Sequence, residues 1–219
     1  MVKLSNYAKM IEWALNKYPD CDIFGSLSPN QISSKIWLIE NLTKICNKFE
    51  TINHKIEIVG SWYGYPLIEY LKNNLSIEKI ECWDIDKEAR MIAKMYNEIF
   101  ESKDFVFVYD KNYWEHSRDG SEATLLINTS SEHMKESFYI MNQLHRKNKF
   151  YVKNPIIVIQ SNNMHHIDEH INCVESEEEL IDKHKIREVL YSGSQNIVEW
   201  HNEKIEESKY KRFMVIGKL

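Results

Sequence analysis

The sequence contains few glycines, prolines and cysteines, and it has no long hydrophobic run. Six Gly, four Pro and four scattered Cys among 219 residues exclude a fibrous protein, a flexible linker and a disulfide-stapled scaffold. The aliphatic stretch at 156–159 is far shorter than the roughly 20 residues that cross a bilayer. The first residues lack the apolar segment of a secretory signal. We therefore expect a cytoplasmic protein with reduced cysteines and no membrane contact.

Basic residues are also fewer than acidic ones. There are 28 basic against 33 acidic residues, which gives a net charge of −5. A protein that binds nucleic acid neutralises phosphates with a basic surface, so we expect no nucleic-acid partner. The basic run at 145–149 is interpreted as a solvated helix end. No repeat or linker divides the chain, which predicts a single globular domain, and the sequence leaves the oligomeric state open.

The hydrophobic pattern changes near residue 55. Residues 1–54 show helical spacing, with Ser28 and Pro29 placed to open a helix, and we interpret them as a helical cover over a core at 55–219. In that core, short apolar runs alternate with helical stretches. This alternation favours an α/β fold in which a mostly parallel sheet is covered on both faces. We predict strands at 56–59, 80–83, 105–109, 124–127, 156–160, 188–192 and 212–216, and helices at 66–74, 87–100, 134–145, 176–184 and around 196–208.

A glycine-bounded turn follows the first predicted strand. Gly60 and Gly64 enclose this turn, and the second strand ends at Asp84. Glycine permits a sharp turn and close approach of a ligand to the backbone. A carboxylate at the neighbouring strand end can accept both hydroxyls of a ribose. The pair therefore indicates a nucleoside site, although the glycines could merely close a turn while Asp84 caps the helix at Lys87.

These residues resemble the class I S-adenosylmethionine-dependent methyltransferases. That family has a glycine-rich first loop, an acidic residue ending the second strand, and a seven-stranded Rossmann-like sheet with a C-terminal antiparallel pair. The resemblance covers 55–219 and implies S-adenosylmethionine as the cofactor. The implied contacts are the methionine and ribose for the first loop, the ribose for the acidic strand end, and the adenine for the residues after it. By this resemblance, the residues that bind the cofactor are Gly60, Ser61, Trp62, Tyr63, Gly64, Asp84, Ile85, Asp110 and Asn128.

Two positions depart from the family pattern. Trp62 replaces the middle glycine of the loop, and Ile58 stands where the family often carries an acidic residue. We therefore retain transfer of an aminocarboxypropyl group, as in proteins similar to nicotianamine synthase, as an alternative reaction. A degenerate fold that binds without catalysis is a second alternative. A dinucleotide-binding dehydrogenase would need G-x-G-x-x-G, which the sequence lacks.

A polar cluster follows the predicted fourth strand. Asn128 lies where the family places substrate contacts, and Glu132 and His133 are candidate general bases for an O–H or N–H nucleophile. We predict these three as the catalytic residues, against the alternative that they cap the next helix. No proline follows Asn128, so the motif of amino-methylating nucleic-acid enzymes is absent.

The fifth strand leads into a loop that is rich in histidine. We predict that Asn162 and His170 contact the substrate, since ligands bind outside the carboxyl ends of the strands. His165, His166, Glu169 and His170 could hold a metal, but their spacing matches no standard zinc motif. We expect no metal site. Metal binding by this loop stays open as an alternative to substrate contact, and an ordinary solvated loop is a third interpretation.

Aromatic residues cluster near the predicted strand ends. Tyr113 and Trp114 are candidates for a lid over the adenine, while Trp83 is expected to pack in the sheet core. The whole pattern predicts methyl transfer to an unidentified small-molecule or protein acceptor.

Overall fold

The structure is a computed structural model that describes residues 4–48, 53–100, 102, 104–110, 112–116, 121–135, 137–139, 155–199 and 208–219. Three helices come first: α1 (Leu4–Lys17), α2 (Ile23–Ser26) and α3 (Pro29–Cys46). The start of α3 follows from local chemistry, because the Ser28 hydroxyl accepts the Gln31 N–H at 3.4 Å and Pro29 occupies the first helical position. This confirms the predicted cap.

Seven strands and four further helices follow with both ends inside the described residues. The strands alternate with helices as far as the fifth strand, and the last two strands are long. The elements are β1 (His54–Val59), α4 (Leu67–Asn74), β2 (Ile77–Trp83), α5 (Lys87–Ile99), β3 (Val106–Tyr109), α6 (Tyr113–His116), β4 (Leu125–Asn128), β5 (Ile156–Asn162), α7 (Glu177–His184), β6 (Glu188–Glu199) and β7 (Ser208–Lys218).

The strands form one sheet in the order β3-β2-β1-β4-β5-β7-β6. The first five strands are parallel to their neighbours, whereas β7 runs antiparallel to both β5 and β6. The strand order reverses between β1 and β4, so a ligand crevice is expected at their carboxyl ends. This is the predicted Rossmann-like sheet with a C-terminal antiparallel pair.

The central strands of the sheet are buried on both faces. Ile56 and Ile58 of β1 pack in one hydrophobic cluster, which also contains residues of α1 and α3. Val59, at the end of the same strand, belongs to a second cluster with Leu126 and Ile157. Burial on both faces explains why these strands read as continuous apolar runs in the sequence. The helices of 1–54 therefore share a hydrophobic core with the sheet.

The predicted helix around 196–208 is wrong. β6 extends to Glu199, and its residues pair with β7 as far as Glu199 opposite Ser208. Ser192, Ser194 and Asn196 are exposed and alternate with less exposed neighbours, which is the period of a strand with one solvated face. The polar composition suggested a helix, but the alternation is that of an edge strand. Residues 200–207 lie outside the described residues.

The predicted helix at 134–145 is only partly described. The short 3₁₀ turn Ser131–His133 ends before it. Residues 134 and 135 are not helical, residues 138 and 139 are, and 140–145 lie outside the described residues. Within the described ranges, no helix has the length and apolar character needed to span a membrane.

Candidate functional site

A cavity of about 850 Å³ opens at the carboxyl ends of the parallel strands. Small-molecule and cofactor sites typically occupy roughly 300–1,000 Å³. Residues from the ends of four adjacent strands line it: Gly60 after β1, Asp84 after β2, Thr129 after β4 and Asn162 of β5. The cavity therefore lies at the point where the strand order reverses, as expected for this sheet.

The turn after β1 has an unusual backbone. Gly60, Trp62 and Gly64 all have positive φ angles of 64°, 49° and 79°. Glycine adopts this region without strain, whereas a side chain such as that of Trp62 is costly there. A Cβ on Gly60 would lie 2.5 Å from Met134 Cε, and one on Gly64 would lie 2.5 Å from Ile68 Cδ1. The backbone conformation therefore favours glycine at both positions, and a Cβ there would also displace the ends of the Met134 and Ile68 side chains.

Asp84 joins this turn to the second strand. Its Oδ2 accepts the Trp62 N–H at 2.7 Å, and its Oδ1 accepts the Asp86 N–H at 2.9 Å. Partial burial raises the pKa of the carboxyl group, although the two backbone donors and Arg90 act in the opposite direction. A carboxylate oxygen can accept more than one hydrogen bond. The group is therefore held in place and can still accept hydroxyl groups from the cavity. Asp86, which caps α5, was missed as a cavity residue.

The residues assigned to the cofactor divide into two groups. Gly60, Trp62, Asp84 and Ile85 line the cavity, and Ile85 is 79% exposed. The others are not among its lining residues. Ser61 and Tyr63 are buried, with the Tyr63 ring stacked on Trp62 at 4.6 Å between centroids. Asp110 is exposed beyond β3. The roles of these residues toward a cofactor remain predictions, as do those of Gly64 and Asn128.

Three aromatic residues border the cavity. Tyr113 and Trp114 line the cavity in α6. Trp83 is 5% exposed and packs in the second hydrophobic cluster, which confirms its place in the core, although it also borders the cavity.

Glu57 of β1 holds α6 in place through a buried hydrogen bond to Tyr113. Its carboxylate accepts the Tyr113 hydroxyl and the Ser121 hydroxyl, each at 2.6 Å. Burial raises the pKa of Glu57, and these two hydrogen bonds oppose that effect. This network was missed because Glu57 lies in an apolar strand and its partners are 56 and 64 residues away.

The turn after β4 is stabilised by its own side chains. Asn128 is 1% exposed, and its Oδ1 accepts the Ser130 N–H at 2.9 Å while its Nδ2 lies 3.2 Å from Met134 Sδ. Met134 in turn lines the cavity. Asn128 thus shapes the turn in this structure, and its predicted catalytic role stays a prediction.

Glu132 and Asn162 meet where the turn after β4 and the end of β5 border the cavity. We call this part of the cavity its inner end. Glu132 is 3% exposed, and its Oε1 accepts the Asn162 amide at 2.8 Å. The other oxygen, Oε2, is buried without a hydrogen-bond partner. The Asn162 Oδ1 accepts the Met164 N–H at 2.9 Å, which holds the loop after β5. The predicted general base and the predicted substrate contact therefore belong to one polar unit.

His133 and His170 lie beside Glu132. Their rings meet edge to face with centroids 4.6 Å apart, and both line the cavity. Burial lowers the pKa of His170, because it disfavours the charged imidazolium. Of the four residues considered for a metal in this loop, His170 alone joins the group. His166 and Glu169 are exposed, and His165 Nε2 lies 2.7 Å from Glu175 Oε1.

Basic groups flank this inner end. Arg212 of β7 is 6% exposed, lines the cavity and donates to the Thr129 carbonyl at 3.3 Å. Burial, together with the charge of Arg212, lowers the pKa of Lys35 to about 7, while Glu132 acts in the opposite direction. Neither residue was predicted, because α3 and β7 join the site only through the tertiary fold.

Comparison with known proteins identifies the fold. No protein-family profile matches the sequence, and no curated protein matches it. Solved structures do match. An O-methyltransferase from Bacillus cereus in complex with SAH has a TM-score of 0.59 at 14% identity, over 99% of this chain and 92% of that one. A geranyl diphosphate methyltransferase in complex with GPP and sinefungin has a TM-score of 0.59 at 10% identity, over 86% and 77%.

A third similar structure is precorrin-6y C5,15-methyltransferase from Geobacter metallireducens. Its TM-score is 0.53 at 10% identity, over 84% of this chain and 88% of that one. The chain therefore has the fold of the class I S-adenosylmethionine-dependent methyltransferases. At these identities the likeness establishes the fold alone.

Proposed function

We propose that this protein binds S-adenosylmethionine and transfers its methyl group to a small-molecule or protein acceptor. The observation that carries the proposal is the cavity, which runs from Gly60 and Asp84 to Asn162 and Arg212 across the ends of four strands. A cofactor with its ribose on Asp84 would extend over Gly60 toward the inner end. Proteins of the same fold have been solved with SAH and with sinefungin, which supports this choice of cofactor.

The two ends of the cavity differ in charge. Asp84 and Asp86 line the end formed after β2, whereas Arg212, His133 and His170 line the inner end together with the carboxylate of Glu132. A guanidinium has five N–H donors, so Arg212 can bind a ligand as well as the Thr129 carbonyl. The donors of Arg212 therefore favour an acceptor that carries a carboxylate or another acidic group. Methyl transfer gains from holding the nucleophile in line with the sulfonium carbon, and the inner end provides groups for that purpose.

Trp62 is the reason to retain a second reaction, transfer of the aminocarboxypropyl group, as an alternative. Trp62 lines the cavity at the place of the family's middle glycine, so the cofactor would pass a bulky residue there. A shifted sulfonium could present its aminocarboxypropyl carbon, rather than its methyl carbon, to the acceptor. The product distinguishes the two reactions. Incubation with S-adenosylmethionine and a mixture of carboxylic acids should yield S-adenosylhomocysteine, detected by mass spectrometry, whereas methylthioadenosine would support the alternative.

Cofactor binding tests the proposal without knowledge of the acceptor. Isothermal titration of the full chain with S-adenosylhomocysteine should show one site. Hydrogen bonds to a charged group are worth about 1.5–3 kcal/mol, so Asp84→Ala should weaken binding by about tenfold or more. Asp20→Ala is the matched control, because Asp20 is exposed and lies outside the cavity. Absence of binding by the wild type would leave only a protein with a degenerate methyltransferase fold.

A further inference from the structure

Three potential metal ligands converge at the inner end of the cavity. One ligand atom from each of Glu132, His133 and His170 lies within 4.8 Å of the other two. They come from two different loops, the turn after β4 and the loop after β5. We propose that these three residues bind a divalent transition-metal ion, contrary to the expectation from sequence that the protein has no metal site.

Two buried atoms in this group have no partner. Glu132 Oε2 and His170 Nδ1 are both buried without a hydrogen bond. Burial of an unsatisfied polar atom is unfavourable, and coordination of a cation would satisfy such an atom. The two atoms also belong to ligand types, carboxylate oxygen and imidazole nitrogen, that transition metals prefer.

The surrounding hydrogen bonds orient the ligands. Asn162 donates to Glu132 Oε1 at 2.8 Å, which leaves Oε2 for the ion. His133 Nδ1 lies 3.3 Å from the Glu169 carbonyl, so its Nε2 is available. Metal-binding histidines commonly donate their second N–H to a carbonyl, and metal-binding carboxylates are themselves hydrogen-bonded. The site therefore has the outer contacts that a bound ion requires.

The two loops are also joined to each other. The Asn172 N–H donates to the Glu132 carbonyl at 2.9 Å, and the Ser131 hydroxyl donates to the Gln160 carbonyl at 2.8 Å. These bonds keep His170 close to the turn that carries Glu132 and His133. Metal–ligand bonds of about 2.0–2.2 Å would require the side chains to close in by about an ångström each. His133 is exposed, so its ring has room for this movement.

The ligand set selects the kind of ion. Two imidazoles and one carboxylate suit Zn²⁺, Co²⁺ or Fe²⁺, whereas Mg²⁺ and Ca²⁺ prefer oxygen ligands. Lys35 and Arg212 lie close enough to act on the charges of this group, and their positive charge opposes a cation. Three protein ligands leave at least one coordination position for another ligand. If the protein transfers methyl groups as proposed above, an oxygen of the acceptor would fill such a position; this consequence rests on the proposed function, whereas ion binding does not.

Titration with Co²⁺ tests the site directly. The metal-free full chain should take up one equivalent and develop visible absorption bands, which Zn²⁺ should abolish and millimolar Mg²⁺ should not. His170→Ala and Glu132→Gln should each weaken Co²⁺ binding by about tenfold or more, because loss even of outer-shell partners costs 10–100-fold in metal affinity. His166→Ala is the matched control, since this histidine is exposed in the same loop and should leave binding unchanged.

The outcomes separate this proposal from the proposed function. Thermal melting of each variant without metal establishes that it is folded, and titration with S-adenosylhomocysteine reports the cofactor site independently. Binding of Co²⁺ without binding of S-adenosylhomocysteine would support the metal site and overturn the proposed function. Failure of the wild type to bind Co²⁺ or Zn²⁺ at millimolar concentration would overturn the metal site. Equal losses in His166→Ala and His170→Ala would overturn it as well.

Discussion

The Trp62 N–H donates to Asp84 Oδ2 at 2.7 Å, which joins the turn after β1 to the end of β2. The bond fixes a residue whose φ angle of 49° is costly for a tryptophan. It also orients a carboxylate at the border of the cavity. The same contact therefore holds the strained turn and positions the group that we propose to bind ribose.

The first prediction concerns α6, whose Tyr113 and Trp114 are the candidates for a lid over the adenine. Asn112 lines the cavity, and its Oδ1 accepts the Trp114 N–H at 3.1 Å. Loss of an ordinary hydrogen bond costs about 0.5–1.5 kcal/mol, so Asn112→Ala should weaken S-adenosylhomocysteine binding by several-fold in a calorimetric titration. Asp110→Ala should have no effect, because Asp110 lies outside the cavity lining. The reverse result would favour the family-based assignment of Asp110 to the adenine.

Gly60→Ala should destabilise the protein for two reasons. A positive φ costs a side-chain-bearing residue roughly 1–2 kcal/mol, and the new Cβ would meet Met134 Cε at 2.5 Å. Urea unfolding should show a loss of at least this size. A double-mutant cycle with Met134→Ala separates the two causes. The part of the loss that persists without the methionine side chain measures the backbone strain, and full persistence would mean that the contact with Met134 contributes nothing.

Glu57→Gln should be destabilising by about 1–3 kcal/mol, the cost of leaving a buried donor unsatisfied. The carboxylate accepts from Tyr113 and Ser121, whereas an amide offers one acceptor oxygen and two unwanted donors. Glu122→Gln is the matched control, because Glu122 is 60% exposed and pairs with Lys55 at the surface. Equal unfolding free energies for the two variants would contradict a structural role for the Glu57 network.

His184 should make the protein sensitive to acid. It is 2% exposed, both ring nitrogens lack partners, and burial, aided by the charge of Lys183, lowers its pKa from 6.5 to about 4. Between these values the unfolded chain binds a proton that the folded protein does not. Stability is therefore lost as the pH falls from 6.5 to 4, by up to about 3 kcal/mol at 1.36 kcal/mol per pKa unit.

The variant His184→Leu should remove this part of the pH dependence. Denaturant unfolding at a series of pH values between 7 and 4 measures it. His166→Leu alters an exposed histidine and should retain the wild-type slope. An unchanged slope in His184→Leu would show that other groups cause the acid sensitivity.

The outline of the fold could be predicted from sequence because it depends on local patterns. Apolar runs such as Ile56–Val59 mark buried strands, Ser28 and Pro29 mark a helix start, and glycines mark the turn at Gly60. The one clear error, the helix placed around 196–208, arose where composition and periodicity disagreed. An edge strand with one solvated face tolerates polar residues, so its alternation was the better signal.

The sequence by itself determined the strands, the glycine turn and the carboxylate at Asp84, because each depends on residues close together in the chain. Only the tertiary structure decided which side chains meet in the cavity. His170 lies beside Glu132 although it is 38 positions further along the chain, and Arg212 comes from β7. Such contacts depend on strand order and loop packing, which local sequence patterns do not predict. The convergence of Glu132, His133 and His170 is therefore a property of the fold.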